Sequence, residues 1–69
     1  VADIDIEVNG ELRQVPEGAS IAALLAALGL DREGVAVAVD QQVVPRSQHA
    51  ARALHPGDRV EVIVAVGGG

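Results

Sequence analysis

Arg59-Val60-Glu61-Val62-Ile63-Val64-Ala65-Val66-Gly67-Gly68-Gly69 closes the chain and decides how the rest is read. Val60, Val62, Val64 and Val66 fall on one face of an extended strand. Ile63 and Ala65 make the other face apolar too, and a strand apolar on both sides belongs inside a sheet. A last strand at the sheet interior must have partners from earlier in the chain. They are found by working back. Val35 to Val39 alternates Val and Ala and predicts a buried strand. Asp40-Gln41-Gln42 reads as a turn, and Val43-Val44 as a short strand ended by Pro45. Arg46 to Leu54 is irregular or a short helical turn, and Pro56-Gly57-Asp58 is a turn cluster.

The first half supplies a hairpin and a helix. Asp3 to Val8 alternates strictly, with Ile4, Ile6 and Val8 on one face and Asp3, Asp5 and Glu7 on the other. Asn9-Gly10 is a hairpin signal, and the return strand runs from about Glu11 to Val15. A two-residue loop would set Glu11 against Val8 on the apolar face. An odd loop with a bulge brings Leu12 there instead, and that register is expected. After Pro16-Glu17-Gly18, Ser20 caps a helix of eight or nine residues whose Ile21, Leu24, Leu25 and Leu28 form one stripe. Gly29 suits a left-handed C-terminal cap. The expected architecture is α+β, in the order β-β-α-β-β-β, with one helix on a sheet.

Composition bounds what such a domain can do. The chain has 69 residues, allowing one domain. Ala, Val, Leu and Ile supply the whole 49% hydrophobic content, with no aromatic, Cys or Met. Disulfides and thiolate metal sites are thereby excluded. A net charge of −5 without a basic cluster argues against nucleic acid and anionic membranes. The missing aromatics weaken single-strand binding further. No apolar run approaches the ~20 residues that span a bilayer. The acidic start Val1-Ala2-Asp3 does not read as a secretory signal, so the expected location is the cytoplasm.

No catalytic constellation emerges. His49 and His55 are the only candidates for a base or metal ligand, and loop histidines without companion ligands read as surface residues. Ser47 lacks an activating partner motif. Asp58 reads as turn chemistry. The exception is the end of the chain. Three glycines extend about 10 Å at ~3.3–3.6 Å per residue. Without Cβ atoms they form a tail thin enough for a narrow tunnel. Its α-carboxylate can attack the α-phosphate of ATP, and an acyl-adenylate would expose the carbonyl to sulfur or nitrogen nucleophiles. A frayed terminus without a role is the competing reading. On either reading the division is a folded unit over 1–66 and a tail over 67–69.

Several segments together resemble the ThiS family of ubiquitin-like sulfur carriers. They are Val8-Asn9-Gly10-Glu11, the Pro16 to Gly18 turn, Leu24-Leu25-Ala26-Ala27-Leu28-Gly29 and Val35-Ala36-Val37-Ala38-Val39. Val43-Val44-Pro45-Arg46-Ser47, Pro56-Gly57-Asp58-Arg59-Val60-Glu61-Val62 and Ala65-Val66-Gly67-Gly68-Gly69 complete the set. The likeness covers nearly the whole chain. Its most specific pieces are Val43 to Ser47 and the terminal Gly68-Gly69. The departure is Asp40-Gln41-Gln42, where the family commonly has Asn-Gly or Asn-x.

The resemblance implies a β-grasp fold, a mixed sheet of four to five strands with the first and last adjacent and parallel at its centre. It implies a protein co-substrate, not an enzyme, with no bound cofactor. An E1-like adenylyltransferase of the ThiF type would activate Gly69 with Mg-ATP. A cysteine desulfurase relay would supply sulfur for a thiocarboxylate, and thiazole synthase would receive it for thiamine. Gly68 and Gly69 would be the functional residues, with Gly67 preceding them. Related possibilities are the small subunit of molybdopterin synthase and other thiocarboxylate carriers, such as one for cysteine synthesis. A different class is a β-grasp module that only binds partners. The strand pattern adds a candidate docking surface: Ile63 and Ala65 facing away from the helix, beside Ala36 and Ala38.

Overall fold

In a computed structural model, residues 2–65 are described. They form one five-stranded sheet with a helix and a 3-10 turn. β1 (Asp3–Val8) and β2 (Glu11–Pro16) are followed by α1 (Ile21–Ala27). Then come β3 (Val35–Val39), β4 (Gln42–Val44), the 3-10 turn Arg46–Gln48 and β5 (Arg59–Val64). The sheet order is β2-β1-β5-β3-β4. β5 is therefore central, parallel to β1 and antiparallel to β3, as expected, although its outer face, with Arg59, Glu61 and Ile63, is exposed rather than buried.

The core lies between the inner sheet face and α1. Ile4, Ile6 and Val8 of β1, Val37 and Val39 of β3, and Val60 and Val62 of β5 meet Ile21, Leu24 and Leu25 of the helix. Leu54, from the long segment before β5, joins them. Ser20 caps the helix by accepting the Ala23 N–H on its hydroxyl at 3.1 Å. At the other end the Leu30 N–H donates to the Leu25 carbonyl and the Gly29 N–H to that of Ala26. These two bonds make a Schellman stop around Gly29 at φ +73°. The stop limits the helix to seven residues, one or two fewer than its apolar stripe suggests.

The hairpin differs from expectation. Val8 pairs with Glu11, so the loop has two residues and no bulge. Asn9 (φ 50°) and Gly10 (φ 84°) both take positive φ, the twist-matched geometry of tight hairpins. This register sends Leu12 outward opposite Glu7, leaving it 77% exposed. The sheet tolerates this because β2 is an edge strand, where Glu11 and Arg13 reach solvent. Only Val15 of β2 enters the core. Asp40 and Gln41 form a second two-residue loop, with φ of 50° and 71°, so β4 begins at Gln42.

Candidate functional site

The site is built from the strand that carries the terminal tail. β5 stays in the ladder to Val64, and the Ala65 N–H donates to the Gly34 carbonyl at 2.8 Å. Val66, the expected last strand residue, and Gly67, Gly68 and Gly69 lie outside the described residues. The root of the tail is thus fixed against the start of β3.

β5 is held differently on its two flanks. Toward β3 the pairing is continuous from Val39↔Val60 to Val35↔Val64. Toward β1 it spans only Glu7↔Arg59 and Val8↔Val60, because β1 turns away at Asn9. The Asn9 side chain takes over there. Its Oδ1 accepts the Val62 N–H at 2.8 Å and its Nδ2 donates to the Val62 carbonyl at 3.3 Å. On the other flank, the Asp40 carboxylate accepts the Arg59 N–H at 3.1 Å, while the Asp40 N–H donates to the Arg59 carbonyl. Both turn residues extend the ladder with their side chains.

The outer sheet face divides by chemistry. Ile63 is 58% exposed and sits opposite Ala36. Ala38 lies between Glu61 and Val43, and Val43 is 76% exposed. Ala65, also exposed, follows Ile63 toward the tail. Ile63, Ala36, Ala38 and Val43 therefore form an apolar strip across three strands. Val43 is the member that sequence reasoning missed. Neighbours in a strand point to opposite faces, and Val44 is the buried one of the pair. On the β1 side the face is charged: Asp3, Asp5 and Glu7 line a groove of about 560 Å³ with Leu12, Pro56 and Arg59. The parallel register sets this groove at the end of the sheet away from the tail.

Of the side chains considered for catalysis, His49 serves the structure. His49 is not a surface residue: it is 7% exposed, with Nε2 2.9 Å from the Val44 carbonyl. A carbonyl only accepts, so Nε2 carries the proton. The loop Arg46 to Leu54 folds under the helix start, where the Ala22 N–H donates to the His49 carbonyl. That contact is why the loop position is misleading. His55 is exposed, and its backbone N–H donates to Asp58 Oδ2 at 2.9 Å, closing the Pro56-Gly57 turn. Among the described residues no cluster of His, Cys, Asp and Glu could hold a metal ion. No helix among them is long and apolar enough to cross a membrane.

Comparison with known proteins adds to this geometry. The model of the ThiS family matches residues 6–69. The sulfur carrier protein ThiS of Escherichia coli K12 is 32% identical over 66 residues, covering 96% of this chain and 100% of that protein. A thiazole synthase of Paramagnetospirillum magneticum is 39% identical over 62 residues, 90% of this chain but 19% of its own length. The chain thus spans about a fifth of the thiazole synthases it matches. The crystal structure of a thiamine biosynthesis protein (ThiS) from Geobacter metallireducens superposes with a TM-score of 0.80 at 32% identity. That alignment covers 96% of this chain and 100% of the other, so the fold is the β-grasp of those proteins.

Proposed function

The chain belongs to the ThiS family, and on that footing we propose that it is a sulfur carrier, a protein co-substrate whose working group is the terminal carboxylate of Gly69. The carboxylate attacks the α-phosphate of Mg-ATP on an E1-like adenylyltransferase of the ThiF type, and pyrophosphate leaves. A sulfur nucleophile supplied by a cysteine desulfurase relay then attacks the acyl-adenylate carbonyl. The nucleophile is the relay's persulfide, so AMP departs to leave an acyl disulfide. A thiol reductant then cleaves its S–S bond, which frees the thiocarboxylate and leaves a disulfide behind. ATP and Mg belong to the partner, and the carrier holds no cofactor of its own. The setting is cytoplasmic.

The observation that carries this reading is that the family match runs through Gly67 and Gly68 to Gly69. The scaffold supports it: β5, which precedes the tail, is the central strand of the sheet and is paired through Val64. Delivery to thiazole synthase, for the thiazole of thiamine, is supported by the thiazole synthases that contain a stretch like this chain. That likeness favours the thiamine branch over a molybdopterin or cysteine carrier. The strip of Ile63, Ala36, Ala38 and Val43, with Ala65 leading to the tail, is the docking surface. Its exposed aliphatic area suits the apolar centre of a partner interface.

A one-residue extension tests this reading. With an alanine appended after Gly69, ATP–pyrophosphate exchange by the cognate adenylyltransferase should disappear, because the attacking carboxylate is displaced. Exchange at the unextended rate would contradict Gly69 as the attacking group, and no exchange even with the unextended chain would favour a module that only binds partners.

A further inference from the structure

We propose that Asn9 is a positioning residue for the activated terminus, acting through the clamp that its side chain places on β5. This rests on the carrier reading and names a part of the chain that makes it work. β5 outruns β1 by four residues, since their register ends at Val8↔Val60 while the strand continues to Val64. Beyond that point Val62 turns both backbone polar groups toward the β1 flank, where no strand remains to receive them. The Asn9 amide meets both, at 2.8 and 3.3 Å, across 53 residues of sequence. The Asn9 backbone N–H adds a third bond, to the Val60 carbonyl at 2.9 Å.

The chemistry of the residue fits the task. A carboxamide carries a donor and an acceptor side by side, as a peptide group does, so it can stand in for the missing strand. Asparagine also tolerates the left-handed backbone at φ 50° that the tight turn demands. Remove the amide, and the distal half of β5 hangs from β3 alone, through pairs such as Ala36↔Ile63 and the Gly34–Ala65 bond. A strand held along one edge can twist about that edge. The tail root would then sweep relative to the docked outer face. Misplacement of a reacting group by about 1 Å can cost on the order of a hundredfold in rate.

Asn9→Gly isolates the side chain, because Gly-Gly keeps the turn geometry. In the free protein, hydrogen exchange of the Val62 amide should accelerate at least tenfold while that of Val37 stays unchanged. With the cognate adenylyltransferase and Mg-ATP, kcat for activation should fall about tenfold, with KM for the carrier little altered. Asn9→Asp, which keeps the acceptor for the Val62 N–H, should recover most of the Val62 protection. Unchanged Val62 exchange, or a lower melting temperature with unchanged kinetics, overturns the proposal. So does a raised KM at constant kcat, which would make the side chain a docking group. If the wild-type chain is itself never activated, the carrier reading falls and the positioning role falls with it. The exchange data then still decide whether Asn9 holds the strand.

Discussion

Gln41 occupies a backbone conformation that suits glycine. It stands at φ 71° in the Asp40-Gln41 loop, next to Asp40 at φ 50°. A left-handed residue with a Cβ costs roughly 1–2 kcal/mol. Asp40 offsets part of this by accepting the Arg59 N–H, whereas the Gln41 side chain makes no hydrogen bond among the described residues. Gln41→Gly should therefore stabilise the fold by about 1 kcal/mol after glycine's greater loss of chain freedom. In a domain this size that is a rise of about 4–8 °C in Tm, readable by thermal denaturation. A lower Tm would mean that Gln41 makes a compensating contact. The sequence marks the same turn as the departure from the family pattern, and the structure explains what is at stake there.

At the scale of elements, α1 is short and depends on its ends. Seven residues cannot sustain a helix in water without tertiary support. Ser20→Ala removes the acceptor for the Ala23 N–H and should cost about 1 kcal/mol, measured as a lowered urea midpoint. Gly29→Ala is a sharper case. A Cβ at Gly29 would meet nothing within 4 Å, yet φ is +73°. It should still cost about 1–2 kcal/mol through backbone strain alone. An unchanged midpoint would show that the Schellman stop contributes little. Element type and order were legible because alternation and the i, i+3, i+4 stripe are strong local signals. The hairpin register was not, because weighing Leu12 against Glu11 assumes that the core covers the inner face of β2 along its whole length. β2 is an edge strand, and that fact is set by the topology. His49 was misread for a similar reason. Its burial comes from Arg46–Gln48 and the following residues folding under α1, a contact without local periodicity.

At the scale of the whole molecule, the sheet separates two jobs. Its inner face builds the core, and its outer face carries an apolar strip beside a run of carboxylates. Ile63 is the largest exposed side chain of that strip. Ile63→Glu should leave the fold intact, with a stability change under about 1 kcal/mol, since β propensities span no more than that. It should raise KM for the activating enzyme about ten- to thirtyfold, as expected for loss of an interface anchor. Steady-state kinetics together with circular dichroism separate the two effects. Ile63, Ala36, Ala38 and Ala65 were legible from alternation. Val43 needed the β3–β4 register, and Asn9 needed the offset between β1 and β5.

The central claim, that the working group is the carboxylate of Gly69, is tested most directly by intact-protein mass spectrometry. The chain is incubated with Mg-ATP, the cognate ThiF-type enzyme and a sulfur donor. An ATP-dependent gain equal to one sulfur less one oxygen is expected, mapped to the terminal residue and absent when Gly69 is deleted. An unchanged mass with an active cognate partner, or a gain located anywhere else in the chain, would contradict it.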